Sequence, residues 1–192
     1  MLRKNATTLV IIDMQTGFSA ANAPETIAAV VHQVKLAKRR QAGIVVAEYD
    51  FDEREDSPVF GKTHNKIIEA IGNYKHVEFL IKRSDDGSKE IVEALRRKQF
   101  NQKRIRLCGV NTRCCVLATA AGYPPHNSGG LLSKLSKSKI EVEFDACNCT
   151  ESDSKYWVGI YPIFKNLIIR SSRKEHENES HENLRFRKIK NK

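Results

Sequence analysis

No stretch of this chain is long and apolar enough to span a bilayer. Near the N terminus Leu9 to Ile12 is apolar, but Asp13 interrupts it at once and leaves it too short for a secretory leader. Cysteine is sparse: there are five, an odd count clustered near strand ends, which does not suggest a disulfide framework. The Cys147-x-Cys149 pair, taken with Cys108 or Cys114, matches no common zinc spacing. Aromatic residues make up only 7% of the chain, and none interleave with its basic segments as RNA-binding motifs require. Internal repeats are absent. These absences leave a cytoplasmic protein with no membrane partner as the expectation.

Positive charge is plentiful, with 33 Lys plus Arg against 23 Asp plus Glu and a formal net charge of +10. The basic residues are dispersed over Lys35 to Arg40, Arg96 to Arg106, Lys134 to Lys139 and the C-terminal segment. Dispersion of this kind reads as solvated helix faces, so nucleic acid is not the expected partner. A competing reading, salt-sensitive nucleic-acid binding through the basic tail, attaches to residues 171–192. At 192 residues the chain fits one domain, residues 1–170, followed by a polar tail that reads as disordered or loosely docked.

Strand-like and helix-like segments alternate through the first two thirds. Leu9 to Ile12 and Ile44 to Ala47 are short continuous apolar runs, as expected of strands buried on both faces. Between them, Ile27, Val30, Val31, Val34 and Ala37 form one apolar stripe on a helix over Pro24 to Arg40. A loop from Tyr49 to His64 follows, then a helix around Lys66 to Ile71 and a strand around Val77 to Ile81. A helix over Ser88 to Lys98, with Ser88 as candidate cap, precedes a strand over Arg104 to Cys108 and a helix over Cys114 to Ala121. The stretch from Tyr123 to Ser136 reads as loop, Ile140 to Phe144 as a strand with one polar face, and Leu167 to Ile169 as a last short strand. Alternation of this kind predicts a three-layer α/β fold: an open, mainly parallel sheet flanked by helices. Ligands of such sheets bind beyond the carboxyl ends of the strands, where Asp13, Lys82 and Cys115 all fall.

The segment Leu107-Cys108-Gly109-Val110-Asn111-Thr112-Arg113-Cys114-Cys115-Val116 carries the strongest chemical signal. It ends a strand, turns at a glycine and delivers two cysteines to a helix start, where unpaired N–H groups would stabilise a thiolate and lower its pKa. A nucleophile and a pair of buried, inert thiols both remain open on these residues alone.

Gly109-Val110-Asn111-Thr112-Arg113-Cys114-Cys115-Val116 resembles the G-V-x-T-x-x-C-V nucleophile motif of the isochorismatase-like cysteine hydrolases, which include nicotinamidases and carbamoyl-sarcosine amidases. Leu9-Val10-Ile11-Ile12-Asp13-Met14-Gln15 resembles the family's first strand with its catalytic Asp, and Phe79-Leu80-Ile81-Lys82-Arg83-Ser84 the strand end with its catalytic Lys. Asp145-Ala146-Cys147 is similar to the D-A-C that often follows a later strand. The resemblance implies a Rossmann-like isochorismatase fold and a catalytic triad of Cys115 as nucleophile, Asp13 as general base and Lys82 as supporting cation. It also implies a cis peptide at Val110-Asn111, an oxyanion hole from the N–H groups of Asn111 and Cys115, and a homo-oligomer acting on a small-molecule substrate.

Duller readings stand beside these. Asp13 could cap the following segment, Lys82 could be a surface lysine, and Cys114 is the rival to Cys115, although helical neighbours point about 100° apart and only one can face a site. Phe18, Phe51, Phe60 and Tyr123 are candidate pocket walls or core. The nicotinamidase metal motif is not matched: Asp50-Phe51-Asp52 has an Asp where the first His belongs, and His64 lies out of step. Asp50, Asp52 and His64 read as a solvated acidic loop before a weak metal site, so no metal or other cofactor is expected. Cys115 favours an amide or ureido carbonyl over the vinyl ether of isochorismatases proper, which generally lack the cysteine. The rival from another class is a catalytically silent interaction protein that keeps the fold.

Overall fold

The computed structural model describes residues 2–3, 5–50, 60–122, 129–149 and 167–170. Its six strands are β1 (Thr8–Ile12), β2 (Ile44–Tyr49), β3 (Val77–Lys82), β4 (Arg104–Val110), β5 (Lys139–Asn148) and β6 (Leu167–Arg170). They form one sheet in the order β3-β2-β1-β4-β5-β6, and every pairing is parallel. The chain builds outward from β1 in one direction to β3, then crosses back to β4 and builds in the other. Right-handed crossovers therefore place helices on opposite faces of the two halves.

The packing agrees. Helices α1 (Pro24–Arg39) and α2 (Asn65–Ile71) cover one face, burying Ile27, Val30, Val34, Ile67 and Ile71 against Leu9, Ile11, Ile44 and Val46. Helices α3 (Ser88–Arg97), α4 (Leu117–Ala121) and α5 (Gly130–Lys134) cover the other, burying Ile91, Leu95, Leu117 and Leu131 against Val10, Ile12, Leu107 and Val142. Successive residues of β1 thus serve opposite layers, which is why its whole run is apolar and buried. No helix among the described residues is long and apolar enough to cross a membrane.

Several boundaries differ from the sequence reading. Strand β2 continues to Tyr49 and β3 to Lys82, so Lys82 is held by the β-ladder rather than lying beyond it. Ser88 is not a cap. Gly87 occupies the cap position, and the Asp86 carboxylate accepts the Ser88 N–H at 2.8 Å. The single helix expected from Cys114 begins instead as a wide π-type turn, Thr112–Val116, and becomes α-helical only at Leu117. Part of the expected Tyr123-to-Ser136 loop is helix α5. The polar tail and Tyr123 lie outside the described residues, as do Phe51 and Asp52.

The polar face of β5 points inward. Glu141 and Glu143 are each 1% exposed, on the α1 side of the sheet. Arg106, paired with Glu141 in the β4–β5 register, donates Nε and Nη2 to Glu141 Oε2 at 3.0 and 2.9 Å and Nη1 to Gln33 Oε1 of α1 at 3.3 Å. Its Nη1 also lies 3.8 Å from Glu143. At the other edge, β3 leaves Phe79 and Ile81 about half exposed, at 49% and 48%.

Removing the guanidinium would take the closest cation from the buried Glu141 carboxylate, leaving near it, among the described residues, the half-exposed Arg104 at 3.8 Å and the partly exposed Arg170 at 3.6 Å. Arg106→Ala is therefore expected to lower stability by about 3 kcal/mol, the low end for breaking a buried pair, as read by urea unfolding. A loss below about 1 kcal/mol would show that the neighbouring arginines replace it.

Candidate active site

Three strand ends converge on one rim of the sheet. Asp13 follows β1, with its N–H bonded to the Ala47 carbonyl at 2.9 Å and its backbone at φ 52°. That left-handed conformation is one a short polar side chain tolerates, and it turns the chain off the sheet with the carboxyl still buried. Gly109 of β4 lies beside Ile12 in the ladder with φ 120°; a Cβ there would fall 2.0 Å from the Ile12 carbonyl oxygen. Only glycine lets the two backbones come this close. Beyond it the Val110–Asn111 peptide is cis, and the wide turn begins. Both Cys114 and Val116 donate their N–H groups to the Asn111 carbonyl at 3.1 Å. The Thr112 hydroxyl donates to the Asn148 carbonyl at 2.8 Å, and Asn148 Nδ2 to the Ala20 carbonyl at 3.0 Å, which ties the turn to the end of β5. Cys114 is exposed on this turn and Cys115 is buried, so the two do not share an environment.

Lys82 reaches the same place from two strands away. It is the last residue of β3, in register with Tyr49 at the end of β2, and its side chain is fully buried. Its Nζ sits 2.9 Å from Asp13 Oδ2, donates to the Ser84 carbonyl at 3.1 Å and lies 4.3 Å from the centre of the Tyr49 ring. An ion pair, a hydrogen bond and a cation–π contact thus surround the ammonium. The dull reading of Lys82 as a surface lysine does not hold. Asp13 faces this ammonium rather than capping a helix; the next short helical turn, Ser19–Asn22, has Phe18 at its cap position.

Burial dominates the electrostatics. Neither Asp13 oxygen has an aligned hydrogen-bond donor among the described residues, the Lys82 contact being an ion pair off that alignment. Desolvation therefore outweighs Lys82, and the Asp13 carboxyl is pushed up from 3.8 to about 6. By linkage, protonated Asp13 favours the fold: this contribution is complete below the ordinary carboxylate range and is lost as pH rises through about 6. The Cys115 thiol is pushed well up, first by burial and then by the Asp13 charge, with Lys82 opposing. This reverses the expectation of a thiolate stabilised by a helix N terminus, because the sulfur is buried between acids on a wide turn.

The sulfur has a second acidic neighbour that the sequence reading left without chemistry. Cys115 Sγ donates to Asp85 Oδ1 at 3.5 Å. Asp85 belongs to the turn between β3 and α3; its carbonyl accepts the Thr119 hydroxyl at 3.2 Å, and the Thr119 Oγ1 in turn accepts the Gly87 N–H at 3.1 Å. The available signal was its position three residues after Lys82, in a turn leaving a strand's carboxyl end. Tyr49, read as the start of a loop, was missed for lack of any motif.

Phe18 stacks on Phe60 with ring centres 4.7 Å apart, and both meet the Tyr49 ring, at 6.5 and 5.3 Å. These two candidate wall residues therefore border the site through Tyr49. His64 occupies the cap position before α2, with its N–H on the Met14 carbonyl at 2.8 Å. Among the described residues no three His, Cys, Asp or Glu side chains converge as metal ligands would.

The isochorismatase domain model matches residues 7–123, more than half of the chain. The chain belongs to the isochorismatase-like family. No curated protein sequence matches at a significant level. Among solved structures, the MAR1 ribonuclease of Caenorhabditis elegans superposes with a TM-score of 0.66 at 17% identity, covering 90% of this chain and 81% of its own. N-carbamoylsarcosine amidase of Thermoplasma acidophilum gives 0.66 at 17% identity, with 86% and 96% covered. The nicotinamidase of Staphylococcus aureus gives 0.63 at 16% identity, with 88% and 100% covered. At such identities the likeness is one of fold, and it agrees with the parallel six-stranded sheet.

Gly87 tests how tightly Lys82 is held, because a Cβ there would come within 2.7 Å of the Lys82 Cδ. Its φ of −83° suits any residue, so Gly87→Ala acts through sterics alone. Urea unfolding is expected to show a loss of about 1–3 kcal/mol, the usual cost of overpacking. An unchanged midpoint would mean that the lysine stem has room to move.

Proposed function

We propose that this protein is a cysteine hydrolase that cleaves a small amide or other C–N bonded carbonyl compound. The observation that carries the reading is the buried Asp13–Lys82 ion pair, 2.9 Å long, beside the Cys115 thiol at the carboxyl rim of the sheet. Family membership agrees with hydrolysis, and amidases are among the structural neighbours.

Asp13 takes the thiol proton as Sγ attacks the substrate carbonyl carbon. The carbonyl π-electrons move to oxygen, and the N–H groups of Asn111 and Cys115 receive the oxyanion. As the tetrahedral adduct collapses, the C–N bond breaks and Asp13 returns its proton to the departing nitrogen, leaving a thioester on Cys115. Water, deprotonated by Asp13, then attacks the thioester; the C–S bond breaks, the acid is released and Sγ regains its proton. Lys82 offsets the negative charge that passes between carboxyl and sulfur. A carboxyl near 6 suits both halves of this cycle, since it accepts and releases a proton close to neutral pH.

Ammonia release from a panel of small amides tests the reading. Cys115→Ala is expected to abolish turnover, whereas Cys114→Ser, on the exposed side of the turn, keeps it within about twofold. The native rate is expected to fall as pH drops through about 6, where Asp13 becomes protonated and can no longer accept the thiol proton. Full activity in Cys115→Ala, or a flat acid limb down to about pH 4, overturns the assignment.

A further inference from the structure

We propose that Asp85 selects substrates bearing an N–H-rich cation, an ammonium, amidinium or guanidinium group, beside the scissile carbonyl. The proposal rests on the hydrolase reading of the same site and names the class of substrate it takes.

Position is the first ground. Asp85 Oδ1 lies 3.5 Å from the Cys115 sulfur, so a carbonyl carbon brought within bonding reach of Sγ carries its neighbouring atoms to within a few ångströms of that carboxylate. Access is the second. Asp13 and Lys82 are fully buried, whereas Asp85 and Tyr49 are partly exposed. Rigidity is the third. The Asp85 carbonyl is fixed by Thr119, and the adjoining Asp86 carboxylate receives the N–H groups of Ser88 at 2.8 Å and Gly130 at 2.9 Å. The turn is thus pinned to α3, α4 and α5, and its carboxylate is placed before any substrate enters.

Charge makes the placement selective. The Lys82 ammonium is engaged with Asp13, while the Asp85 charge acts on Asp13, Tyr49 and Cys115 and raises all three. A thiolate forming here faces two carboxylates. A substrate cation seated against Asp85 offsets one of them, so the group that is recognised also favours the anion that must form. An anionic substituent at the same point would be repelled by carboxylate and thiolate together.

The test uses three methanethiosulfonate reagents on the full chain: 2-aminoethyl (cationic), its neutral isostere propyl, and 2-sulfonatoethyl (anionic). In each, the thiolate attacks the thiosulfonate sulfur, a disulfide forms and methanesulfinate leaves, so labelling reports the thiol without requiring the natural substrate. Tandem mass spectrometry separates Cys115 from the exposed Cys114, which senses the same overall protein charge and serves as internal control. The cationic-to-anionic rate ratio at Cys115 is expected to exceed that at Cys114 by about tenfold or more. Asp85→Asn is expected to bring the two ratios together, and Asp85→Glu to keep them apart. Equal ratios at the two cysteines in the native chain, or an undiminished difference in Asp85→Asn, overturn the proposal. The native comparison decides the matter alone if Asp85→Asn does not fold. Failure of Cys115 to label faster than the buried Cys108 with any reagent overturns the hydrolase reading itself, and this inference with it.

Discussion

A carboxyl and an ammonium held 2.9 Å apart with no solvent contact govern the organisation of this rim. Buried pairs are poor stabilisers, because desolvation cancels much of their attraction. The fold nevertheless devotes three adjacent strand ends to this one: β1 places the acid, β3 the amine, and β2 sets Tyr49 over the ammonium between them. Even so, the pair does not balance fully. The acid lacks aligned donors among the described residues and rests near 6, which leaves it responsive to the proton of a neighbouring group.

The thiol belongs to the same balance. Cys115 lies among apolar residues with two acids nearby, so its anion is costly in the resting protein. Reactive cysteines on helix N termini are commonly ready-made thiolates. Here burial and the neighbouring acids hold the thiol in its protonated form. Its wide turn contributes by ending β4 abruptly and delaying the α-helix to Leu117.

Much of this was legible in the residues. Continuous apolar strands, the α1 stripe and the alternation of elements predicted the parallel sheet, and the comparisons bear out both the fold and the family. Motif spacing pointed to Asp13, Lys82 and Cys115, which the structure brings to one rim. What escaped was tertiary. Glu141 and Glu143 look like a solvent face until Arg106 of the neighbouring strand is seen to meet them. Asp85 looks like an ordinary turn residue, because nothing local reveals that α4 brings Thr119 to its backbone or that the cysteine turn lies beside its carboxylate. The direction of the thiol's shift depended on burial, which periodicity does not supply.

The amine of the site comes from the outermost strand. Among the described residues the ladder stops at β3, and Phe79 and Ile81, three residues and one residue before Lys82, stand half in water. An interior strand is clamped from both sides, whereas among the described residues β3 has β2 alone as its backbone partner. Fraying of this margin, or its pairing with a foreign strand, would be transmitted along a few peptide units to the ammonium while the acid and the sulfur, carried by interior strands, held still.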